Sequence, residues 1–421
     1  MLIFAVILLF WGSILAGIFA TRKALLLDTW DEPYIKELTV LIESDDWGPG
    51  EDYHAGRLND LLSLLERHQD SVGRLAVLTA DMVLAVPNTM HIRSDGFSNY
   101  RRRYLDEGFE AILAAVRTGM SRGVLVPQLH GIEHLHGDGL LKLGRNRDQR
   151  VVGIFDSDSW SDWESLDSPL QAHYIDGTQL PTSPLLEADR RVLIKDACIT
   201  FNRLFGMPSL STVAPCYLWD DEVERIWTEH GIRYIQTAGY RCPGRDAEGR
   251  YIQDVSLIRP GQHNRHGQIY LVRNAMYEPV DGHGSEGCLR EALRAFQQGL
   301  PAVISTHRYN FTRTEQEHRD SLAGLDSVLS ELEEYGPSLR YLSSPELGAW
   351  MDNEAAPLAD PVANKRWPPL TRQKGLQKLR SFLLRLWYRH RKLRIAAIAS
   401  GLILPLGLIA IPGRLIFRRQ A

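Results

Sequence analysis

The sequence predicts an α/β fold in which a parallel β-sheet closes into a barrel, with a transmembrane helix before it and another after it. Short apolar runs alternate with segments of helical periodicity between residues 38 and 334. Repeated βα alternation is typical of a parallel sheet covered by helices. About seven apolar runs in this region favour a barrel over an open sheet. Two long uncharged segments near the chain ends predict the membrane spans.

Each predicted strand is a short apolar run, and each predicted helix repeats apolar residues every three or four positions. The strands are Leu38–Ile42, Leu75–Leu78, Val124–Leu129, Leu210–Val213, Tyr234–Gln236, Ile269–Val272 and Ala302–Ser305. The helices are Arg57–Arg67, Glu107–Arg117, Glu187–Leu204, Asp221–His230, Leu289–Gln298 and Thr314–Glu334. The barrel is predicted over residues 33–352, and residues 137–183 form a long excursion over its mouth.

The first uncharged segment, Leu2–Ala20, is long enough to cross a bilayer as a helix. A cleaved signal peptide is the alternative, but a basic n-region and a small-x-small cleavage site are missing. We therefore expect an uncleaved anchor over residues 1–21. Residues 395–412 predict a second span, interrupted by Pro405, for which a buried C-terminal helix is the alternative. Dense basic flanks with Trp387 and Tyr388 favour the membrane.

Charge is distributed unevenly along the chain. The net charge is −4, yet residues 362–421 carry 14 basic and no acidic side chains, which leaves 34 basic against 52 acidic residues before them. An acidic main domain argues against nucleic acid as its partner. Residues 353–394 predict a Pro-rich linker and a basic membrane-proximal segment. The positive-inside rule then places the barrel in the cytoplasm of a bacterial cell, anchored in the inner (plasma) membrane by two spans.

Polar residues with chemical potential follow several of the predicted strands. Asp45 and Asp46 end the first apolar run, His130 and His134 follow "VLVPQL", and His307 closes "PAVISTH". In parallel barrels the reactive groups gather at the carboxyl ends of the strands. Two histidines four residues apart share a helical face and, with one carboxylate, form a common set of three metal ligands. A second carboxylate beside the ligating one suits a general base.

Each of these features also has an ordinary structural explanation. An Asp pair before Gly48-Pro49-Gly50 is typical of a turn or a helix N-cap. An H-x3-H spacing arises by chance, and a lone histidine at a strand end is commonly a core residue. Their shared position at strand ends favours a site.

The motifs "SDDWG", "HGIEH" and "STH", in this order, resemble the polysaccharide deacetylase (NodB-homology) superfamily, and "YLSSPEL" resembles its closing stretch. The resemblance covers residues 38–350 and implies a distorted (β/α)7 barrel. It implies Asp45 as the base and His307 as the acid. Asp46, His130 and His134 would bind a divalent metal, expected to be Zn2+.

One departure from the family concerns the arginine that orients the base. Ala214, in "TVAPCYLWDD", stands where the family has this arginine. Arg241, Arg273 and Arg308 are the candidates to replace it in space. The same region supplies candidates to line a sugar-sized cleft, namely Trp47, Tyr217, Trp219 and Asp220. The Tyr217 backbone N–H is a candidate to hold an oxyanion.

The function expected from these features is metal-dependent removal of an acyl (acetyl) group from a carbohydrate, in envelope or surface polysaccharide metabolism. One alternative is a deformylase or deacylase of a lipid-linked sugar at the bilayer surface. Another is a non-catalytic, glycan-binding member of a polysaccharide assembly system. The expected partners are thus an acylated carbohydrate or lipid-linked glycan and the membrane.

Overall fold

A computed structural model of the chain describes residues 2–156, 163–353, 358–360 and 365–410. Its central sheet has nine strands that pair only in parallel. They are β1 Thr39–Trp47, β2 Leu78–Met82, β3 Leu125–Leu129, β4 Ser211–Thr212, β5 Tyr234–Thr237, β6 Ile269–Val272, β7 Ala275–Met276, β8 Ala302–His307 and β9 Arg340–Tyr341. Their spatial order is β6-β5-β4-β3-β2-β1-β8-β7, and β9 pairs with β1.

The two edge strands of this order, β6 and β7, are halves of one strand. β6 pairs with β5 and β7 pairs with β8, and only Arg273 and Asn274 separate them. Asn274 links the chain at this break to β8 by two hydrogen bonds. Its backbone N–H donates to the Val303 carbonyl at 3.2 Å, and its side-chain oxygen accepts from the Val303 N–H at 3.0 Å. A ring of seven parallel strands is therefore completed through the break, which fits the predicted (β/α)7 barrel.

Helices surround the sheet and supply most of the apolar core, in accord with the periodic segments of the sequence. The longer and shorter α-helices are Leu2–Asp31, Tyr53–Leu65, Thr89–Ser94, Glu110–Arg122, Gly137–Arg145, Gln149–Asp156, Glu187–Phe205, Asp221–Glu229, Ser285–Gln297, Tyr309–Thr312, Glu315–Tyr335, Ser344–Asp352, Gly375–Arg389, Arg391–Ala399 and Ile403–Ala410. Short 3-10 helices are Trp163–Ser165, Ser168–Gln171, Pro215–Tyr217 and Pro279–Asp281. The helix from Glu315 begins with a capping box between Thr314 and Glu317, which satisfies N–H groups of the first turn.

Among the described residues, four two-stranded antiparallel ribbons lie outside the barrel. They pair Ala85–Pro87 with Arg102–Tyr104, Ile175–Asp176 with Ser183–Pro184, Gly244–Arg245 with Tyr251–Ile252, and Leu358–Asp360 with Lys365–Trp367. In its described parts the predicted excursion, residues 137–183, contains helices, the ribbon strand Ile175–Asp176 and the start of its partner strand at Ser183; residues 157–162 lie outside the described residues.

Side chains of β1 divide between the barrel interior and the surrounding helices, since successive residues of a strand face opposite sides. Val40 and Ile42 pack in the apolar cluster shared with the helices. Leu41 belongs to a second cluster inside the barrel, and Glu43 and Asp45 share one arginine partner on that same inner side. The interior therefore changes from apolar to charged toward the carboxyl end of β1.

Among the described residues, Ala5–Asp31 is the one helix long and apolar enough to cross a membrane. The helix kinks at Arg22, whose φ of −130° is non-helical. Over 395–410, where the sequence predicts a second continuous span, the chain forms two helices instead. Gly401 adopts a φ of +72° between them, a left-handed conformation that ends the first helix.

These two helices, Arg391–Ala399 and Ile403–Ala410, form a hairpin. With nine and eight residues they are about 14 and 12 Å long, roughly half the ~30 Å needed to cross the hydrocarbon core. The Trp11 indole N–H donates to the Ser400 carbonyl near the turn. The Arg380 side chain donates to the Ile409 carbonyl at 2.8 Å. The second helix of the hairpin therefore runs back toward the helix Gly375–Arg389, which precedes the hairpin. The described residues thus correct the prediction of one continuous C-terminal span; residues 411 and 412 lie outside them.

A buried arginine is one of the contacts that join the peripheral helices to the barrel. Arg385, with a side chain 0 % exposed, pairs with Glu32 at 2.7 Å and donates to the carbonyls of Pro33, Gln298 and Gly299. Gln298 and Gly299 precede β8, so this contact lies at the amino ends of the strands. The carboxyl ends, where Asp45 and His307 stand, are at the opposite end of the barrel.

Candidate active site

Asp45 is the last inward-facing residue of β1 and is held by Arg273 from the break between β6 and β7. The two guanidinium nitrogens donate to the two carboxylate oxygens at 2.7 and 2.6 Å. Burial by itself would raise the pKa of Asp45, but the attraction of Arg273 outweighs it and holds this pKa well below its usual range. Asp45 is therefore an ionised carboxylate of fixed orientation.

Asp46 would face away from the interior if the alternation of β1 continued. Its φ of +69° interrupts the alternation, and the register between β1 and β2 shifts between Ser44 and Trp47. The carboxylate is thereby turned toward two imidazoles: Asp46 Oδ1 lies 3.4 Å from His130 Nε2 and 3.3 Å from His134 Nε2. Because of this bulge the two adjacent carboxylates have different partners: Asp45 contacts Arg273, and Asp46 faces the two histidines.

The Asp46, His130 and His134 cluster has the donor set of a cation site. All three ligand atoms lie within 4.8 Å of one another in a buried position. Within the described part of the chain, Asp46 Oδ1 is a buried acceptor without a hydrogen-bond partner. His130 donates from Nδ1 to the Val213 carbonyl at 3.0 Å, which leaves the Nε2 lone pair toward Asp46. Burial lowers the pKa of His134 to about 4, so this imidazole is neutral and able to ligate.

His307 faces the same space from the end of β8. Its Nε2 lies 3.7 Å from Asp45 Oδ2, and its Nδ1 lies 2.6 Å from Glu278 Oε1. Although burial lowers it, the hydrogen bond and charge of Glu278 raise the pKa of His307 to about 10. The imidazole is therefore protonated at neutral pH. With a side chain 30 % exposed, it is also the most accessible of the five predicted catalytic and ligating residues.

Arg273 organises a larger buried polar network. Besides Asp45 it pairs with Glu43 at 2.7 Å and Asp81 at 3.2 Å, and it donates to the oxygens of Gln236 and Tyr217 at 2.9 Å. Burial raises the pKa values of Glu43 and Asp81, and the charge of Asp45 raises them further. Of these three carboxyl groups, Asp45 is the one whose pKa is lowered, so the pairing with Arg273 favours the ionised form most strongly at Asp45.

Of the three arginines proposed from the sequence to steady the base, the structure selects Arg273. Arg241 pairs with Asp254 and Glu224 instead. Arg308 donates to the Pro49 carbonyl and to Glu164.

Of the four residues expected to line a cleft, three are buried or paired elsewhere, and only Tyr217 lies at the site. Trp47 and Trp219 are both 0 % exposed, and their indole N–H groups donate to Ser44 and Glu224. Asp220 caps the helix Asp221–Glu229 by accepting from the Val223 N–H, and it pairs with Arg190. These contacts give the three residues structural roles, because buried or fully paired groups offer little to a substrate.

Tyr217 does lie at the site, but through its hydroxyl. The hydroxyl accepts from Arg273, whereas the backbone N–H donates to the Ala214 carbonyl at 2.9 Å. The expectation that this N–H would hold an oxyanion is therefore not met. Both Cys216 and Tyr217 adopt a φ of +53°, which turns the tyrosine ring toward the arginine.

Sequence reasoning missed Glu278, the partner of His307. It precedes the short helix Pro279–Asp281 in a loop without a strand or helix pattern, so no periodicity marks it. Trp163, from the excursion, was also missed; its ring stacks on that of His134 with centroids 6.2 Å apart.

The fold and site together define a barrel protein in which an Asp-His-His cluster able to hold a divalent cation lies between a carboxylate and a protonated imidazole. No protein-family model and no curated protein matches the chain. Solved structures that it matches include a family 4 carbohydrate esterase from Streptomyces lividans in complex with acetate, with 11% identity, 75% of this chain and 96% of that chain covered, and a TM-score of 0.35. Another is a family 4 acetyl xylan esterase from Clostridium thermocellum in complex with a cobalt ion. It is 9% identical, the match covers 79% of this chain and 98% of that chain, and the TM-score is 0.37.

A family 4 pseudoenzyme from Bacillus anthracis is matched as well, with 8% identity, 75% of this chain and 66% of that chain covered, and a TM-score of 0.35. The matched structures belong to the class that the sequence motifs resemble. Because the TM-scores lie below 0.5 and the identities are low, these matches carry no conclusion about the activity of this chain.

Proposed function

We propose that this chain is a metal-dependent hydrolase that removes an acyl group, such as acetyl, from a carbohydrate. The observation that carries the proposal is the separation of two adjacent carboxylates. Asp46 faces His130 and His134, while Asp45 is held by Arg273 and faces His307. Cation ligands, a base and an acid thus share one space at the carboxyl ends of the strands.

Asp46, His130 and His134 would hold the cation, for which we propose Zn2+ because two imidazoles and one carboxylate are a common zinc set. When bound, a divalent cation supplies Lewis-acid chemistry that polarises an acyl carbonyl and makes water more acidic. The remaining steps depend on side chains of the chain.

Asp45 is proposed as the base that takes a proton from the attacking water. Its lowered pKa makes it a weak base, and this suffices where a neighbouring cation acidifies the water. The two-point contact with Arg273 fixes the carboxylate plane, so its orientation is set before substrate binds.

His307 is proposed as the acid that protonates the leaving amine or alkoxide from Nε2. Its raised pKa keeps the proton available at neutral pH, and Glu278 fixes the ring by accepting from Nδ1. The two groups together keep the number of protons balanced, because Asp45 accepts one proton from water and His307 donates one to the leaving group.

The membrane part of the proposal rests on the helix Ala5–Asp31, which would anchor the barrel. Arg385, on the helix Gly375–Arg389, contacts both Glu32 at the end of the anchor and carbonyls at the amino ends of the barrel strands. The proposed site therefore opens away from this contact.

Acetate release from a panel of acylated oligosaccharides, with and without chelator, tests the proposal. Asp45→Asn and His307→Ala should each abolish hydrolysis while bound metal is retained, and His130→Ala should lose metal. His263→Ala, at an exposed histidine remote from the cluster, is the control for loss of an imidazole. Full metal content without hydrolysis of any acylated glycan would instead favour a non-catalytic glycan-binding protein.

A further inference from the structure

An apolar groove of about 960 Å³ lies between the N-terminal helix and the three C-terminal helices. This volume is at the upper end of the roughly 300–1,000 Å³ typical of ligand pockets. Leu15, Phe19 and Leu27 form part of one wall, and Trp387 and Ala397 form part of the other. Because these residues lie beyond the Arg385 contact, the groove is separate from the proposed hydrolase site.

The length of the groove matches one leaflet of a bilayer. Its wall on the N-terminal helix runs from Leu15 to Trp30 through the kink at Arg22, a path of about 22 Å at the ~1.5 Å rise per helical residue. A bilayer is ~40–45 Å thick with its headgroups, so one leaflet occupies about 20–22 Å. The hairpin on the other wall, with helices of about 12 and 14 Å, also reaches only one leaflet deep.

The charge around the groove is positive. Arg394 is the one charged side chain among the described residues that line it, and its guanidinium lies 5.9 Å from the centre of the Trp387 ring. Lys378 places its ammonium 4.3 Å from the Trp30 ring. No acidic residue occurs after position 360, and Asp28 of the N-terminal helix pairs with Arg259. Asp31, at the end of the same helix, lies near Lys378, so within the described part of the chain Arg394 supplies the positive charge that no nearby carboxylate offsets. Such surroundings favour an anionic headgroup over a zwitterionic one.

We propose that this groove binds one anionic glycerophospholipid. Its acyl chains would lie between the N-terminal helix and the hairpin, with the phosphate beside Arg394. The inference rests on the proposed membrane anchoring and is independent of the hydrolase chemistry. It gives the hairpin a role, because two helices too short to cross the bilayer complete a lipid site in one leaflet.

Filling the groove tests the position of the acyl chains. The full chain would be placed in nanodiscs of phosphatidylcholine with equimolar phosphatidylglycerol, released into detergent, and examined by native mass spectrometry. Ala397→Trp, on the groove wall, should lower retained phosphatidylglycerol by roughly tenfold, equivalent to ~1.4 kcal/mol. Ile398→Trp adds the same ring at the next position, which is 53 % exposed and outside the lining, and should retain lipid as the unmodified chain does.

Removing one positive charge tests the headgroup. Arg394→Gln should reduce the preference for phosphatidylglycerol over phosphatidylcholine about fivefold, since a basic residue near an anionic surface contributes ~1 kcal/mol. Lys392→Gln removes the same charge from an exposed residue that does not line the groove and should leave the preference unchanged.

Equal lipid retention in the two tryptophan variants would overturn the site. Equal preference in the two glutamine variants would overturn the assignment of the phosphate to Arg394. A lipid-free dimer in native spectra would assign the groove to a second copy of the chain. Acetate release from soluble acylated glycans, measured on the same samples, reports on the hydrolase proposal separately, so failure of one leaves the other standing.

Discussion

Arg273 holds both oxygens of Asp45 at 2.6 and 2.7 Å from the point where the barrel's closing strand is split. At this break β6 leaves its pairing with β5 and β7 begins its pairing with β8. The Arg273 backbone N–H still donates to the Thr237 carbonyl at 2.9 Å, while Asn274 is tied to β8. The irregularity that distorts the barrel therefore also fixes the residue that orients the proposed base.

We expect Arg273→Lys to lower kcat by roughly a hundredfold or more, because one ammonium cannot reproduce a two-point contact and a small misplacement of a reacting group has effects of this size. The charge is kept, so Asp45 stays ionised. Acetate release and metal content would be measured together. Arg241→Lys, at another paired and mostly buried arginine, is the control. Equal kcat values for the two variants would show that Arg273 has no positioning role.

We expect Glu278→Gln to lower the pKa of His307 from about 10, because the variant removes the charge that opposes burial. The alkaline limb of the kcat/KM profile should move to lower pH. Asp326→Asn, which removes the carboxylate beside His68, should leave the profile unchanged. An alkaline limb at the same pH in both variants would contradict the role of Glu278.

The same pair predicts a pH dependence of stability. The pKa of His307 is raised on folding from about 6.5 in the unfolded chain. Its contribution to the free energy of unfolding is therefore fully present below about pH 6.5 and is lost as the pH rises toward 10. Urea titrations of the unmodified chain and of Glu278→Gln across this window should converge at its alkaline end; a constant difference would contradict the linkage.

Six of the seven barrel strands coincide with predicted apolar runs, whereas β2 begins at Leu78, the last residue of the run predicted for it. The residues of the proposed site were found because they lie shortly after the ends of those runs. Arg273 directly follows the run Ile269–Val272, so its position carried a signal, although the sequence did not separate it from Arg241 and Arg308. The inward turn of Asp46 depends on a positive φ that no residue type demanded. Trp47 was placed in the cleft because the sequence does not show that the bulge sends its ring into the core. The turn at Gly401 was not predicted, because the uncharged, mostly apolar run from 395 to 412 continues through it.

We expect chelation to lower the thermal stability of the unmodified chain, because a cation that binds the folded state alone stabilises it, by ~2.7 kcal/mol at a hundredfold excess over Kd. The three ligands come from two strand ends, so the unfolded chain offers no equivalent site. His130→Ala should unfold at the same temperature with and without chelator. His263→Ala should behave as the unmodified chain. A melting temperature unaffected by chelator in all three proteins would contradict cation binding at this cluster.

We expect Arg385→Met to destabilise the chain by ~3–5 kcal/mol, because it leaves the buried carboxylate of Glu32 with fewer partners and removes the donors to three barrel-side carbonyls. Release of soluble acetate should nevertheless persist in the folded fraction. The contact lies before Ala302 and the proposed acid is His307, about 17 Å further along the strand at ~3.3 Å per residue.

Two measurements separate stability from catalysis in this variant: the free energy of unfolding, and kcat per active site as counted by bound metal. Lys392→Met, an exposed position on the next helix, is the matched control and should change neither. If Arg385→Met lowered kcat per bound metal as strongly as Arg273→Lys, the anchor and the site would be coupled through the barrel. Unchanged stability would show that contacts other than the buried arginine hold these helices to the barrel, such as the hydrogen bond from the Ser381 hydroxyl to the Gln297 carbonyl.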